Sequence, residues 1–256
     1  MTALKQILRR AGTGASDPSS TPAMDIASGL EPGDIALITR VRPFTLTSNE
    51  RIMATVDAVD YIVRRRIEGA FAECGVWRGG SVLAMIVRLQ HHGIADRDIY
   101  LYDTFEGMTK PSECDTSRFD EPATETWKRA ATDGTQPWAT FFGASVFSFE
   151  EVRELLLGTG YPSDRIHFIV GRVEDTLPSR APERLALLRL DTDWYETTKH
   201  ELVSLYPRLS TGGVLLVDDY GHWDGARRAV DEFFSSVEQP VLLHRTDYSG
   251  RAAIKV

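Results

Sequence analysis

A chain of 256 residues is long enough for one α/β domain with a full core and short for two. Its 42% hydrophobic and 26% charged residues are ordinary for a globular enzyme, and a formal net charge of −8 disfavours binding to nucleic acid. No apolar run has the length of a signal peptide or a membrane-spanning helix, and Cys74 and Cys114 cannot build a disulfide framework, so we expect a cytoplasmic protein without a membrane partner.

The first part of the chain differs in composition from the rest. Residues 11–35 mix Gly, Ser, Thr, Pro and Asp with little apolar periodicity, which predicts a partly flexible arm over residues 1–44. Thr47-x-x-Glu50 matches a capping box, and apolar residues then recur at three- and four-residue spacing. We therefore expect an amphipathic helix at the start of a domain over residues 45–256. The arm and this helix could pack against a second subunit, which favours a homo-oligomer.

From residue 69 onward, short apolar strands alternate with helices. Strands are predicted over residues 70–74, 98–103, 165–170, 185–191, 213–219, 241–245 and 252–256, and helices over 81–91, 148–157, 195–206 and 225–237. This alternation predicts an α/β fold with a doubly wound, mostly parallel seven-stranded sheet, and the final helix-free strand pair predicts an antiparallel strand at its edge. Residues 106–147 interrupt the alternation and are predicted to form a lid-like insertion.

A glycine-rich turn joins the first predicted strand to the following helix. It reads Glu73-Cys-Gly-Val-Trp-Arg-Gly-Gly-Ser81, and it lets a ligand approach the backbone where a Cβ would collide. It is neither a Gly-x-Gly-x-x-Gly fingerprint nor a phosphate loop, which disfavours a nicotinamide-dependent oxidoreductase. Arg78 could meet a ligand carboxylate and Glu73 a ligand ammonium. The alternative is a tight strand–helix turn without a ligand.

Acidic residues follow the next two predicted strands. Asp103 could accept hydrogen bonds from both hydroxyls of a ribose, and Phe105 could wall an adenine, although an Asp here could also merely cap the next segment. Together with the glycine turn one strand earlier, Asp103 indicates a nucleoside site. After residues 165–170, either Glu174 or Asp175 could accept from the adenine amino group, or both could lie in a solvated loop.

Four carboxylates follow two apolar strands near the end of the chain. They belong to Asp191, Asp193, Asp218 and Asp219. If they converged without a cation they would repel one another, whereas Mg²⁺ prefers oxygen ligands of this kind. The alternative is that two of them cap helices, which has most weight for Asp193.

Aromatic residues and a histidine lie close to these carboxylates in the sequence. Tyr195, Tyr220 and Trp223 could form an acceptor wall or only pack the loops. His222 could reach the acceptor or the surroundings of the metal, but an ordinary loop histidine is the favoured interpretation.

Taken together, these motifs resemble one family, the macrocin O-methyltransferase or TylF-like group of S-adenosylmethionine-dependent methyltransferases. The resemblance covers roughly residues 45–234, and the matching stretches are Glu73-Cys-Gly-Val-Trp-Arg-Gly-Gly-Ser81, Leu187-Leu-Arg-Leu-Asp-Thr-Asp193, Tyr206-Pro-Arg-Leu-Ser-Thr-Gly-Gly213 and Val217-Asp-Asp-Tyr220. It implies the class I methyltransferase (Rossmann-like) fold and a methyl donor held by the residue 73–81 turn and Asp103. It also implies Mg²⁺ on Asp191, Asp218 and Asp219. The expected donor site comprises Thr47, Glu73, Gly75, Val76, Trp77, Arg78, Gly79, Ser81, Asp103, Thr104, Phe105 and Asp175.

The resemblance implies methylation of a hydroxyl, often one of a vicinal pair, on a small-molecule acceptor. The expected acceptor is a sugar in a glycosylated natural product or a nucleotide-sugar; the alternative is a catechol or another phenol. Asp191 is the expected general base, because it could touch both the metal and the acceptor. A methyltransferase-like domain without catalytic activity is a further alternative, which the intact carboxylates at Asp191, Asp218 and Asp219 disfavour.

Overall fold

The structure, a computed structural model, describes residues 29–143 and 145–256. Its α-helices are α1 (Pro32–Val41), α2 (Asn49–Arg65), α3 (Gly80–His91), α4 (Ala123–Asp133), α5 (Ala139–Phe142), α6 (Phe149–Leu157), α7 (Val173–Thr176), α8 (Tyr195–Leu205) and α9 (Asp224–Ser236). Its strands are β1 (Ala70–Cys74), β2 (Ile99–Asp103), β3 (Ile166–Val170), β4 (Leu185–Leu190), β5 (Leu209–Val217), β6 (His244–Arg245) and β7 (Arg251–Ile254). Among the described residues, no helix combines the length and apolarity needed to cross a bilayer.

The seven strands form one sheet in the order β3-β2-β1-β4-β5-β7-β6. The first five pair in parallel, and β7 runs antiparallel between β5 and the short strand β6. The predicted mostly parallel sheet with an antiparallel strand near its edge is confirmed. The strand predicted over residues 213–219 begins at Leu209 instead and ends at Val217. Its start was missed because Ser210-Thr211-Gly212 is polar and resembles a turn.

Alternating side chains of the central strands supply two apolar layers, one on each face of the sheet. Phe71 of β1 packs in the layer that includes α1, α2, α3 and α6. Ala72 and Cys74 of the same strand pack in the other layer, with α8 and α9. Because both faces are covered, β1 and β4 consist of buried residues throughout. This explains why they were recognised from the sequence as continuous apolar runs.

Helix α1 lies within the segment that the sequence assigned to a partly flexible arm. It begins with proline in its first turn and buries Leu37, Ile38 and Val41 in the core. The sequence analysis did not predict this helix, and the partly flexible character of the arm stays a prediction. The part of the arm formed by residues 1–28 lies outside the described residues.

Helix α2 begins one residue later than the capping box suggested. Its N-cap is Ser48, whose Oγ accepts a hydrogen bond from the backbone N–H of Arg51 at 3.2 Å. Thr47 is instead buried, with its Oγ1 at 3.0 Å from the hydroxyl of Thr45. The helix predicted over residues 148–157 is confirmed as α6, and Ser148 is its N-cap, because the side chain of Ser148 accepts a hydrogen bond from the backbone N–H of Glu151.

The insertion over residues 106–147 contains α4 and α5, which the sequence did not predict. Backbone and side-chain hydrogen bonds fix it to the starts of α8 and α9. The Trp194 indole N–H donates to the carbonyl of Thr109 at 2.9 Å, and the N–H of Tyr195 donates to Asp115 at 2.8 Å. The insertion thus lies beside the carboxyl edge of β4 and β5. Its role as a lid stays a prediction.

One buried carboxylate joins the helices on the α1–α3 face. Asp60 of α2 accepts from Arg88 of α3 at 2.5 Å and lies 2.7 Å from Nε2 of His92. Although burial raises the pKa of Asp60, the hydrogen bonds from Arg88 and His92 outweigh it and lower the pKa to about 2. A depressed carboxylate pKa stabilises the folded state above the ordinary pKa, and this stabilisation is lost as the pH falls towards 2.

Replacing Asp60 by Asn should therefore lower the free energy of unfolding at pH 7 by roughly 2 kcal/mol, since it leaves a charged hydrogen-bonding partner without its carboxylate. The difference from the wild type should shrink below pH 4. Urea denaturation at several pH values measures this. Asp57→Asn, at an exposed position one turn earlier, is the matched control with an expected change within about 0.5 kcal/mol. Equal effects of the two variants would contradict the assignment.

Candidate active site

A cavity lies at the carboxyl edge of the sheet, where the strand order changes direction between β1 and β4. In doubly wound sheets this crevice is where ligands bind. The turn after β1, the ends of β2, β4 and β5, and the insertion all contribute to its wall. Two of the predicted constellations, the glycine turn and the carboxylate cluster, therefore face the same space.

The glycine turn is packed directly against the residue that follows β4. Gly75 has φ +80°, and a Cβ at this position would overlap the carbonyl oxygen of Asp191. The Asp191 N–H donates to the carbonyl of Cys74 at 2.9 Å, which keeps the two loops in contact. Only glycine satisfies both the backbone angle and the close approach. The turn and Asp191 are consequently fixed relative to one another.

Asp103 shapes the same turn from the neighbouring strand. Its Oδ2 accepts from the backbone N–H groups of Val76 at 2.6 Å and Trp77 at 3.0 Å, and its Oδ1 accepts from Phe105 at 2.7 Å. Burial raises the pKa of this carboxyl, and the backbone donors act in the opposite direction. Asp103 also lines the cavity, so its predicted contact with a ribose is compatible with its place. No sequence signal revealed its bonds to the turn.

Glu73 lies at the end of β1, fully buried on the cavity wall. Its Oε1 accepts from Arg189 at 2.6 Å, while its Oε2 has no hydrogen-bond partner within the described part of the chain. Burial is the main cause that raises the pKa of Glu73 to about 8. A buried oxygen without a partner on a cavity wall suits a cationic donor such as an ammonium group.

The predicted metal ligands converge. Asp191, Asp218 and Asp219 each offer one carboxylate oxygen, and these three oxygens lie within 4.8 Å of one another. Asp218 and Asp219 are buried, and Asp191 is partly exposed to the cavity. Three hard oxygen donors at this spacing fit a divalent cation such as Mg²⁺.

Two arginines, which the sequence analysis missed, neutralise part of this negative charge. Arg189 is 2% exposed and donates to Glu73, Asp191 and Asp218. Arg51 of α2 pairs with Asp218. The expectation that a bound cation alone makes the clustered carboxylates tolerable is therefore wrong. An arginine inside the apolar run Leu-Ala-Leu-Leu-Arg-Leu was the available signal, because buried arginines are nearly always paired.

The alternative interpretation, that Asp193 caps helix α8, is wrong, because the N-cap of α8 is Trp194. Its backbone is left-handed, with φ 67°, and its N–H donates to Asp219 Oδ2 at 3.2 Å. Its side chain accepts from the indole N–H of Trp223 at 2.9 Å. Asp193 thus connects a predicted metal ligand to an aromatic residue of the cavity wall.

His222 lies in the loop between β5 and α9, as the favoured interpretation held, but it is buried and lines the cavity. Its Nδ1 lies 3.0 Å from the hydroxyl of Tyr248, and its Nε2 lies 3.1 Å from Asp120 of the insertion. The ring stacks on Phe119. His222 therefore joins the insertion to the C-terminal loop beside the cavity.

The aromatic wall differs from the predicted one. Tyr195 and Tyr220 direct their hydroxyls to Glu232 and Asp231 of α9 rather than into the cavity. Tryptophans provide the wall instead: Trp223, which was predicted, together with Trp138 and Trp194. The ring centroids of Trp194 and Trp223 are 4.9 Å apart.

Most, but not all, of the predicted donor-site residues reach the cavity. Its wall includes Thr47, Glu73, Gly75, Val76, Trp77, Ser81, Asp103 and Thr104, while Arg78, Gly79, Phe105 and Asp175 are not part of it. The Arg78 guanidinium lies over the ring of Phe44, Phe105 packs against Phe149, and Asp175 is exposed. The structure therefore does not place these four residues in the wall of the cavity, where the donor site was expected.

The strand order, with its glycine turn and cavity at the switch point, defines a class I methyltransferase fold. The chain belongs to the macrocin O-methyltransferase (TylF) family, whose model matches residues 39–252. It is accordingly an O-methyltransferase.

Named relatives agree with this family. The chain is 31% identical over 191 residues to demethyldecarbamoylnovobiocin O-methyltransferase of Streptomyces niveus, covering 74% of this chain and 67% of that protein. It is 33% identical to 8-demethyl-8-(2,3-dimethoxy-alpha-L-rhamnosyl)-tetracenomycin-C 4'-O-methyltransferase of Streptomyces olivaceus, with the same two coverages. Its structure resembles the O-methyltransferase NovP with a TM-score of 0.70 and 28% identity, covering 83% of this chain and 82% of that one.

Replacing Gly75 by Ala should disturb the turn and Asp191 together. We expect binding of S-adenosylhomocysteine, measured by calorimetry, to weaken by about tenfold or more, because the added Cβ displaces the wall of the cavity. Gly160→Ala is the matched control: its φ is +77° and nothing lies within 4 Å of an added Cβ. That variant should lose stability through backbone strain but keep its affinity. Equal affinities of the two variants would contradict a donor site at this turn.

Proposed function

We propose that this protein transfers a methyl group from S-adenosylmethionine to a hydroxyl of a sugar, in a glycosylated natural product or a nucleotide-sugar, with Mg²⁺ as a cofactor. The supporting observation is that the glycine turn and the cluster of Asp191, Asp218 and Asp219 line one cavity. The relative from Streptomyces olivaceus, whose name specifies a rhamnosyl group, supports a sugar acceptor. Assembly as a homo-oligomer is a further part of the proposal.

The donor would occupy the side of the cavity formed by β1 and β2. Glu73, whose Oε2 has no hydrogen-bond partner among the residues that the structure describes, would accept from the ammonium group of the donor. Asp103 would accept from the ribose hydroxyls while it holds the N–H groups of Val76 and Trp77 in place. S-adenosylmethionine supplies the methyl group on a positively charged sulfur, which makes it a good electrophile.

The acceptor would occupy the side formed by β4, β5 and the insertion. A divalent cation held by Asp191, Asp218 and Asp219 would lower the pKa of an acceptor hydroxyl. Asp191 is partly exposed to the cavity and would take the proton of that hydroxyl through its carboxylate. Because Asp191 contacts the donor turn at Gly75, the acceptor oxygen would lie close to the donor methyl group.

The tryptophan wall would orient the acceptor and exclude water. The indole N–H groups of Trp194 and Trp223 are already used by Thr109 and Asp193, so these side chains offer only their ring surfaces to the cavity. Flat apolar surfaces of this kind suit the C–H face of a sugar ring, and they also suit a phenol. A catechol is therefore the second candidate acceptor.

Asp191→Asn should lower kcat at least about 100-fold, because it removes the general base and weakens the metal site. Binding of S-adenosylhomocysteine should stay within a few-fold of the wild type. Radiolabelled methyl transfer and calorimetry measure the two quantities. The control is Asp164→Asn, an exposed carboxylate beside the start of β3 at the opposite edge of the sheet. Full activity of Asp191→Asn would exclude this residue as the base.

A panel of deoxysugar-bearing compounds and catechols, assayed with and without EDTA, tests the acceptor class and the metal together. We expect methyl transfer to the sugar compounds, its loss in EDTA and its recovery with excess Mg²⁺. Transfer to catechols alone would support the phenolic alternative. Methyl transfer that continues unchanged in EDTA would show that the reaction does not require Mg²⁺.

A further inference from the structure

We propose that Arg189 couples the donor site to the metal site, so that a divalent cation and the methyl donor each strengthen the binding of the other. This inference rests on the proposed function, because it takes the two sides of the cavity as a donor site and a metal site. It assigns Arg189 a positioning role rather than direct contact with a reacting group.

The guanidinium of Arg189 is shared between the two sites. One nitrogen, Nη1, lies 2.6 Å from Glu73 Oε1 on the donor side and 2.6 Å from Asp191 Oδ2 on the metal side. The other nitrogen, Nη2, donates to Asp218. Arg189 and Glu73 are each 2% exposed, so solvent screens these contacts weakly.

The sheet itself fixes this arrangement. Strand β4 lies between β1 and β5, and in the parallel pairing of β1 with β4, Glu73 is in register with Arg189. On the other side, Arg189 is in register with Leu216, two residues before Asp218. Strand pairing therefore fixes the backbone of Arg189 between the two sides of the cavity.

Cation binding changes the number of carboxylates whose charge Arg189 has to neutralise. In the described structure Arg189 serves three carboxylates, and two of them, Asp191 and Asp218, belong to the predicted metal ligands. When a cation compensates those two, Arg189 Nη1 donates to Glu73 Oε1 alone, and Glu73 Oε2 is available to the ammonium group of the donor. The cation therefore removes part of the cost of organising the donor site.

Thermodynamic linkage makes this effect reciprocal, since two ligands that bind a common protein change each other's affinity by the same factor. A bound donor that fixes Glu73 and Arg189 must favour the cation to the same extent. The prediction thus concerns binding free energies, and it can be tested without an acceptor and without turnover.

The experiment measures the affinity for S-adenosylhomocysteine by calorimetry with EDTA and with saturating Mg²⁺. We expect Mg²⁺ to tighten binding by about fivefold or more, within the range usual for coupled sites. Mn²⁺ binding, followed by electron paramagnetic resonance, should tighten by the same factor when S-adenosylhomocysteine is saturating. Binding of both ligands with unchanged affinities would overturn the coupling alone. Failure of either ligand to bind would overturn the proposed function and the coupling with it.

Two variants distinguish coupling through Arg189 from a direct effect of the cation on the binding of S-adenosylhomocysteine. Arg189→Lys keeps the charge but loses the planar fork that bridges three carboxylates. The coupling factor, which is the ratio of the affinities for S-adenosylhomocysteine with and without Mg²⁺, should therefore fall towards about one. Arg51→Lys is the matched control, because Arg51 pairs with Asp218 and Asp247 on the metal side. It should weaken Mn²⁺ binding but keep the coupling.

Folding of each variant is checked by near-ultraviolet circular dichroism. Should Arg189→Lys not fold, Glu73→Gln serves instead, because it removes the donor-side charge that Nη1 holds while keeping the size of the side chain. Its affinity for S-adenosylhomocysteine should fall, and so should the coupling factor. A coupling factor equal to that of the wild type in a folded Arg189→Lys or Glu73→Gln protein would overturn the inference.

Discussion

Arg189 lies buried in the middle of the sheet with carboxylates from three adjacent strands around its guanidinium. A buried charge is costly unless it is paired and hydrogen-bonded, so neither the arginine nor the acidic side chains would be tolerated here alone. Each constrains the other, and together they hold the ends of β1, β4 and β5 in a defined arrangement. The glycine turn, the carboxylate cluster and the cavity between them depend on this shared ion pair.

Sheet geometry converts separate motifs into one site. Glu73, Arg189 and Asp218 are far apart in the sequence, yet the order β1-β4-β5 makes them neighbours. Gly75 adds the close contact with Asp191 that brings the proposed donor turn against the proposed metal ligands. The glycine turn and the carboxylate cluster, which is rich in oxygen donors, therefore lie side by side on the wall of one cavity.

Much of this arrangement could be predicted from the sequence, because it depends on local patterns. Local residue patterns indicated the apolar strands β1 and β4, the turn at Gly75 and the acidic strand ends. The resemblance to a family then indicated that these motifs belong to one site. Long-range pairing carries no such signal. The helix that buries Leu37, the close approach of His222 to Asp120, and the use of Asp103 to hold a turn depend on neighbours that only the folded chain provides.

Two backbone carbonyls of the insertion over residues 106–147 attach it to the starts of α8 and α9: Thr109 accepts from the Trp194 indole at 2.9 Å, and Thr116 accepts from the Asp224 N–H at 2.8 Å. Backbone groups are present whatever the side chains are, so these two bonds tolerate sequence variation in the insertion, whereas the bond from the Tyr195 N–H requires the carboxylate of Asp115. The carboxylates proposed to perform the chemistry follow the ends of β4 and β5 instead. Evolution can consequently change the shape of the acceptor wall while leaving the methyl-transfer machinery intact, which is how one scaffold can diversify towards different substrates.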